Sequence, residues 1–186
     1  PGVLTVVSDA SGVDGVGGFA FVAGRPGEVW VVSEWWGGLR EALRAGATTG
    51  AERAQLKAGG RPMLAMPAAE LFGSAAVAAA TMKATGARAV AVYAVGDCAP
   101  ALDALTAAAG GTPQMAAMVM EARRWSELWL GVHVPREHNT DADRLSHPDQ
   151  AVEVARAAAA AGLRVHEARV QASSWGAARA AAALGV

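Results

Sequence analysis

Four acids lying far apart in the chain, Asp9, Glu70, Asp97 and Asp143, are the residues whose types and placement can do chemistry. Asp9 closes an apolar strand, Glu70 lies in the first turn of a long helix, Asp97 ends a second buried strand, and Asp143 sits on a short helix after the next strand. Hard divalent cations such as Mg²⁺ take oxygen ligands and keep part of their water, so a carboxylate cluster with few basic neighbours is the matching protein surface. Two such ions about 4 Å apart can activate a water and stabilise the leaving oxygen of an in-line phosphodiester displacement. Each acid also has a plainer reading. Asp9 alone is a turn residue before a glycine loop, Glu70 gains about 0.3 to 1 kcal/mol from the positive end of a helix, and Asp97 can cap the helix that begins near Pro100. The presence of the other three turns each of them toward a metal.

The elements that must position these acids follow from pattern and punctuation. Residues 3–8 are β-branched and apolar, and Phe19 to Val22 and Glu28 to Trp35 continue as strands across a glycine-rich turn and the Pro26-Gly27 turn, giving an antiparallel meander. Residues 37–66 mix helix formers with Gly46, Gly50, Gly59, Gly60 and Pro62, and are expected to form an insertion with one or two short helices. Ala68 to Thr85 is expected to be helical, with Pro67 at its first position and Gly86 as its stop. Ala89 to Val95 reads as a buried strand, followed by a helix from Pro100 to Ala109. A helix capped by Thr112 with Pro113 at N1 comes next, then a strand from Leu128 to Val134, and a helix that Asn139 can cap, running through Leu145. Beyond Pro148 the sequence offers an alanine-rich helix, a short strand candidate from Leu163 to Glu167 and a last helix from Ser173.

With 186 residues the chain can build one sizeable core, and nothing in its length requires two domains. No apolar run approaches the roughly 18 to 20 residues that span a bilayer, so no membrane association is expected. The N-terminal residues lack the charged lead of a secretory signal. The start at Pro1 without methionine suggests an excised fragment or a processed product. The single Cys98 excludes an internal disulfide framework and fits a reducing, intracellular setting. A formal net charge of -1 supplies no global attraction to nucleic acid, so such affinity must come from a local patch or a neighbouring domain.

The element order and four motifs resemble the ribonuclease H domains attached to reverse transcriptases, particularly those of DIRS-type and Gypsy-type retroelements. The motifs are Ser8-Asp-Ala-Ser11 with Gly17-Gly18, Ala69-Glu-Leu71, Gly96-Asp-Cys98, and the run from His133 to Ser146. The last holds Asn139 followed by Ala142-Asp143-Arg144-Leu145-Ser146, which fits the family's asparagine and Ala-Asp-x-Leu-Ser pattern and is the most specific of the four. Gly110-Gly111-Thr-Pro-Gln114 also looks like the helix-breaking stretch of DIRS-type elements. The resemblance covers about residues 3–148. It departs at the insertion and in lacking a basic handle-like loop between Asp97 and the fifth strand.

What the resemblance implies is an α/β, ribonuclease H-like fold: a mixed five-stranded sheet, three strands in antiparallel meander plus parallel strands, flanked by helices. Residues 1–148 would form the domain, with the insertion at about 37–66, and 149–186 an alanine-rich extension packing on or beside it. Asp9, Glu70, Asp97 and Asp143 would be the catalytic carboxylates and would bind two Mg²⁺ ions, with Mn²⁺ as a substitute. Asp141 competes for the last position, but the Ala-Asp-x-Leu-Ser frame selects Asp143. His133 and His138 are alternatives for a histidine assisting proton transfer or product release, and strand alternation around His133 offers a purely structural account of it. The implied substrate is an RNA/DNA hybrid, the implied neighbour a reverse transcriptase domain. Sensing a 2′-hydroxyl needs small polar groups at the minor groove, for which Ser11, Gly12 and Asn139 are candidates. Arg136, Arg144 and the Arg123-Arg124 pair can reach phosphates, although a solvated helix face explains that pair equally well. The tryptophans are given no site role. A catalytically silent module of the same fold is the alternative function. Integrase or transposase chemistry would need its acids in another element order.

Overall fold

The computed structural model describes residues 2–39 and 66–171. The body of the expected insertion and the helix expected from Ser173 lie outside the described residues. Within them the order is β1 (Gly2–Ala10), β2 (Gly15–Val22), β3 (Glu28–Trp35), α1 (Met66–Thr85), β4 (Ala89–Gly96), α2 (Ala99–Ala107), α3 (Pro113–Arg123), β5 (Leu128–His133), α4 (Thr140–Leu145), α5 (Ala151–Ala160) and β6 (Arg164–Glu167). A helical turn at residues 36–39 follows β3, and its Trp36 and Leu39 are buried.

The strands form one sheet in the order β5-β4-β1-β2-β3-β6. The meander β1-β2-β3 is antiparallel, whereas β4 lies parallel to β1, β5 parallel to β4, and β6 parallel to β3. The sheet is therefore mixed and flanked by helices, as expected, but it has six strands rather than five. The extra strand comes from the C-terminal extension. Arg164 to Glu167 pairs with Glu28 to Val31, so the extension covers the edge of β3 that would otherwise carry unpaired backbone groups.

Two apolar layers hold the helices to the sheet. On one face Leu4, Val6, Val16, Ala20, Trp30 and Val32 pack with α1 and its neighbours α2 and α3. Helix α1 is buried nearly all round, which its run of alanines permits: small side chains let sheet and helices approach from several sides at once. On the opposite face Val31, Leu145 and Val154 make a smaller cluster joined by Phe19 and Val165, and this seats α4 and α5. Among the described residues no helix is long and apolar enough to cross a membrane.

Two glycines set how closely helices approach the strand that carries Asp9. A Cβ on Gly73 would stand 3.3 Å from the Asp9 carbonyl oxygen, so α1 lies almost against the end of β1. A Cβ on Gly17 would meet the Leu145 carbonyl group at 2.1 Å, and Gly17 is the register partner of Asp9. The end of α4 thus rests directly on β2 beside Asp9, fastened further by the Ser33 hydroxyl donating to the Leu145 carbonyl at 2.6 Å. Gly17→Ala is expected to push α4 off the sheet and to cost about 2 to 3 kcal/mol, as overpacking of a close contact does. For a chain of this size that is roughly 5 to 10 °C in Tm, and an unchanged melting curve would show that α4 does not need this approach.

Candidate metal centre

Strands β1 and β4 run side by side in the same direction, so their C-terminal ends, and with them Asp9 and Asp97, emerge next to each other. Helix α1 begins over this end of the sheet and brings in Glu70. The helix is described from Met66, one residue before the Pro67 expected at its first position, and a proline in the first turn forfeits no helical hydrogen bond. Glu70 therefore lies in the second turn, not the first, and burial among neighbours shapes its environment more than the helix end does. Carboxylate oxygens of Asp9, Glu70 and Asp97 all lie within 4.8 Å of one another. Asp143 stands outside this tight triplet but lines the same cavity of about 270 Å³, together with Ser11, Gly12, Met66, Arg136 and His147. The structure thus brings the four expected acids to one cavity, three of them within 4.8 Å of one another and Asp143 farther out.

Asp9 and Glu70 are buried, at 6% and 8% exposure. Burial is the main reason that the Glu70 carboxyl is pushed up to about 9, and repulsion from Asp9 and then Asp97 adds to it. The Asp9 carboxyl rises to about 6, again mainly through burial, with the Ser146 hydroxyl pulling the other way and Asp143 and Asp97 raising it further. A set of acids this close cannot all be ionised without a compensating charge. Arg136 supplies some, at 3.7 Å from Asp143, but its side chain is 82% exposed and screened. Hard oxygen donors, close spacing and unbalanced negative charge together fit a divalent cation of the Mg²⁺ type.

The remaining expected residues are distributed unevenly. Asn139 is 1% exposed, and its Nδ2 donates to the Ser8 carbonyl at 3.2 Å. It makes no side-chain cap for α4 and offers no surface to a substrate; it ties that helix to β1 one residue before Asp9. The Ser11 hydroxyl is engaged in its own turn, accepting from the Asp14 and Val13 N–H groups at 3.1 and 3.4 Å. His133 is exposed with its Nε2 3.2 Å from the Asp97 carbonyl oxygen, and His138 is exposed in the turn before α4; neither lines the cavity. Arg144 points away from the acids and pairs with Glu153 on α5. Arg123 and Arg124 lie at the opposite pole, where they line a cleft with Lys83 and Arg88 near the start of β4. Asp141 is exposed and borders a cavity on the α5 side with Phe19 and Val154, away from the other acids.

The sequence reading missed His147. It lines the acid cavity and its Nδ1 lies 2.7 Å from the Asp14 carboxylate, 133 residues away in the chain. Its one sequence signal is position, directly after the Ala142 to Ser146 motif that carries Asp143.

Compared with known protein families, curated proteins and solved structures, the chain gives no significant match in any of the three.

Proposed function

We propose that the chain is a metal-dependent ribonuclease that hydrolyses the RNA strand of RNA/DNA hybrids, working beside a reverse transcriptase in a retroelement polyprotein. The observation that carries this reading is the convergence of Asp9, Glu70 and Asp97 within 4.8 Å at one cavity that Asp143 borders. Together with the Ala142 to Ser146 motif and the mixed α/β sheet, it matches what the resemblance to ribonuclease H domains implies.

Two Mg²⁺ ions bound there would supply the activation of water and the neutralisation of charge on the leaving oxygen. The chain's own contribution is placement. Asp9 and Asp97 project from adjacent strand ends and Glu70 from a helix pinned to β1, so their carboxylates are held before substrate arrives. Asp143 is 38% exposed, which leaves it able to adjust as the scissile phosphate enters. Arg136 stands over the same opening and can steady a phosphate next to the one attacked. Water adds to phosphorus, one bridging P–O bond of the RNA strand breaks, and the proton released by the water ends on the leaving oxygen.

A catalytically silent module would gain nothing from burying Glu70 against two other acids, since that arrangement costs stability and folding alone does not require it. The direct test is incubation with an RNA/DNA hybrid labelled on either strand, in Mg²⁺ or Mn²⁺. The expected result is cutting of the RNA strand that stops on addition of chelator and spares the DNA strand. Absence of metal-dependent cutting would overturn the reading.

A further inference from the structure

We propose that His147, oriented by Asp14 at the rim of the acid cavity, is a specificity-determining residue that accepts a hydrogen bond from an RNA 2′-hydroxyl. The inference rests on the nuclease reading for its substrate, but its geometry stands apart from the metal ligands.

His147 Nδ1 lies 2.7 Å from Asp14 Oδ2, and an ionised carboxylate can only accept, so Nδ1 carries the proton in this contact. The dyad is held from both sides. Asp14 accepts from the Ser11 hydroxyl at 3.5 Å within the turn between β1 and β2, while the backbone N–H of His147 donates to the Arg144 carbonyl at the end of α4. With Nδ1 so engaged, the Nε2 of the neutral ring is an acceptor, and among the described residues nothing bonds to it. The ring is 30% exposed and lines the cavity, so a ligand entering there can reach it.

Phosphate, ester and ring oxygens of a nucleic-acid backbone are acceptors only. The 2′-hydroxyl is the one backbone donor, and only RNA has it. The cavity carboxylates are also acceptors, but they are the groups that hold cations. The Ser11 hydroxyl donates to Asp14, and Asn139 is buried. Among the groups expected to sense the 2′-hydroxyl, no side chain is therefore free to accept at this rim, and His147 fills that role.

The test pairs a protein change with a substrate change. His147→Asn keeps an N–H for Asp14 and lacks the ring nitrogen that would meet the ribose. Cleavage is measured on hybrids carrying a single 2′-deoxy nucleotide at each position flanking the cut. Wild type is expected to lose about 3- to 10-fold at one position, the worth of one hydrogen bond. His147→Asn is expected to show the same loss on the all-ribose hybrid and no further loss at that position. Binding, read by anisotropy with Ca²⁺ as the cation, should show wild type preferring the hybrid over a DNA duplex of the same sequence by a similar factor, and the variant losing that preference. Cleavage with equal deoxy sensitivity in both proteins would overturn this inference alone. Equal weakening of hybrid and DNA duplex would overturn it too, because it would mean a phosphate contact. If neither protein cuts but the binding preference is lost in the variant, the contact stands and the nuclease reading falls.

Discussion

Asp97→Asn is expected to lower metal-dependent cleavage of the hybrid on the order of 10³-fold while leaving the melting temperature within about 2 °C of wild type. The side chain is only partly buried and its backbone is fixed independently, by the end of β4 and by His133 against its carbonyl. An amide of the same shape therefore removes charge without removing packing. A bound cation supplies several kcal/mol of charge stabilisation in phosphoryl transfer, and each 1.36 kcal/mol is tenfold in rate. Asp143→Asn should behave differently. Asp143 lies outside the 4.8 Å triplet and is partly exposed beside Arg136, so its loss should be smaller and partly recovered by raising Mg²⁺. Asp141→Asn, on the other side of α4, should leave the rate unchanged. Activity measured across these three variants as a function of metal concentration checks the ordering. Equal losses for Asp97→Asn and Asp143→Asn at saturating metal would mean that the triplet and the rim acid are not distinct.

That ordering was only partly legible in the sequence. Asp9 and Asp97 stand out because each ends an apolar run just before turn residues, and a strand end is a local property. Glu70 was placed beside a helix start, but its depth of burial depends on Gly73 letting α1 touch β1. Distinguishing Asp143 from the other three required the distance between α4 and the sheet, which Gly17 sets and no local pattern reveals. The sixth strand had a recognisable segment, Leu163 to Glu167, but its partner did not: pairing with β3 spans more than 130 residues and leaves no periodic mark. The same limit hid His147, whose partner Asp14 belongs to the first hairpin. Asn139 shows the reverse case. Its place in a recognised motif suggested contact with substrate, whereas the fold buries it and its Nδ2 ties α4 to the Ser8 carbonyl. The basic residues Lys83, Arg88, Arg123 and Arg124 gather into one cleft only after folding, and it lies at the pole away from the acids. Their number along the chain said nothing about that separation.

The burial of the acids, and then their crowding, leads to the second large effect, a dependence of stability on pH that metal should reverse. Glu70 rises from 4.5 to about 9 on folding, and Asp9 from 3.8 to about 6. Between those limits the folded chain holds protons that the unfolded chain has released, so stability falls as pH rises. The contribution is fully present below about pH 4, diminishes through pH 6 as Asp9 ionises, and continues to diminish until Glu70 ionises near pH 9. In chelator the melting temperature is expected to drop by on the order of 10 °C between pH 5 and pH 9, corresponding to several kcal/mol in a chain of this size. Mg²⁺ binds only the ionised carboxylates and displaces their protons, so its stabilisation should grow as pH rises and flatten the curve. Glu70→Gln isolates the effect. An uncharged amide in that position needs no proton taken up on folding, so the variant should melt above wild type at pH 8 in chelator, gain less from Mg²⁺, and lose cleavage. The difference between the two melting curves across pH cancels the histidines and surface acids that both proteins share. A difference that stays constant from pH 5 to pH 9 would mean that Glu70 does not change its protonation on folding. A difference that grows with pH and vanishes in Mg²⁺ would identify the cost of ionising a buried, crowded Glu70 as the quantity that cation binding relieves, linking the acid cluster to its proposed chemistry.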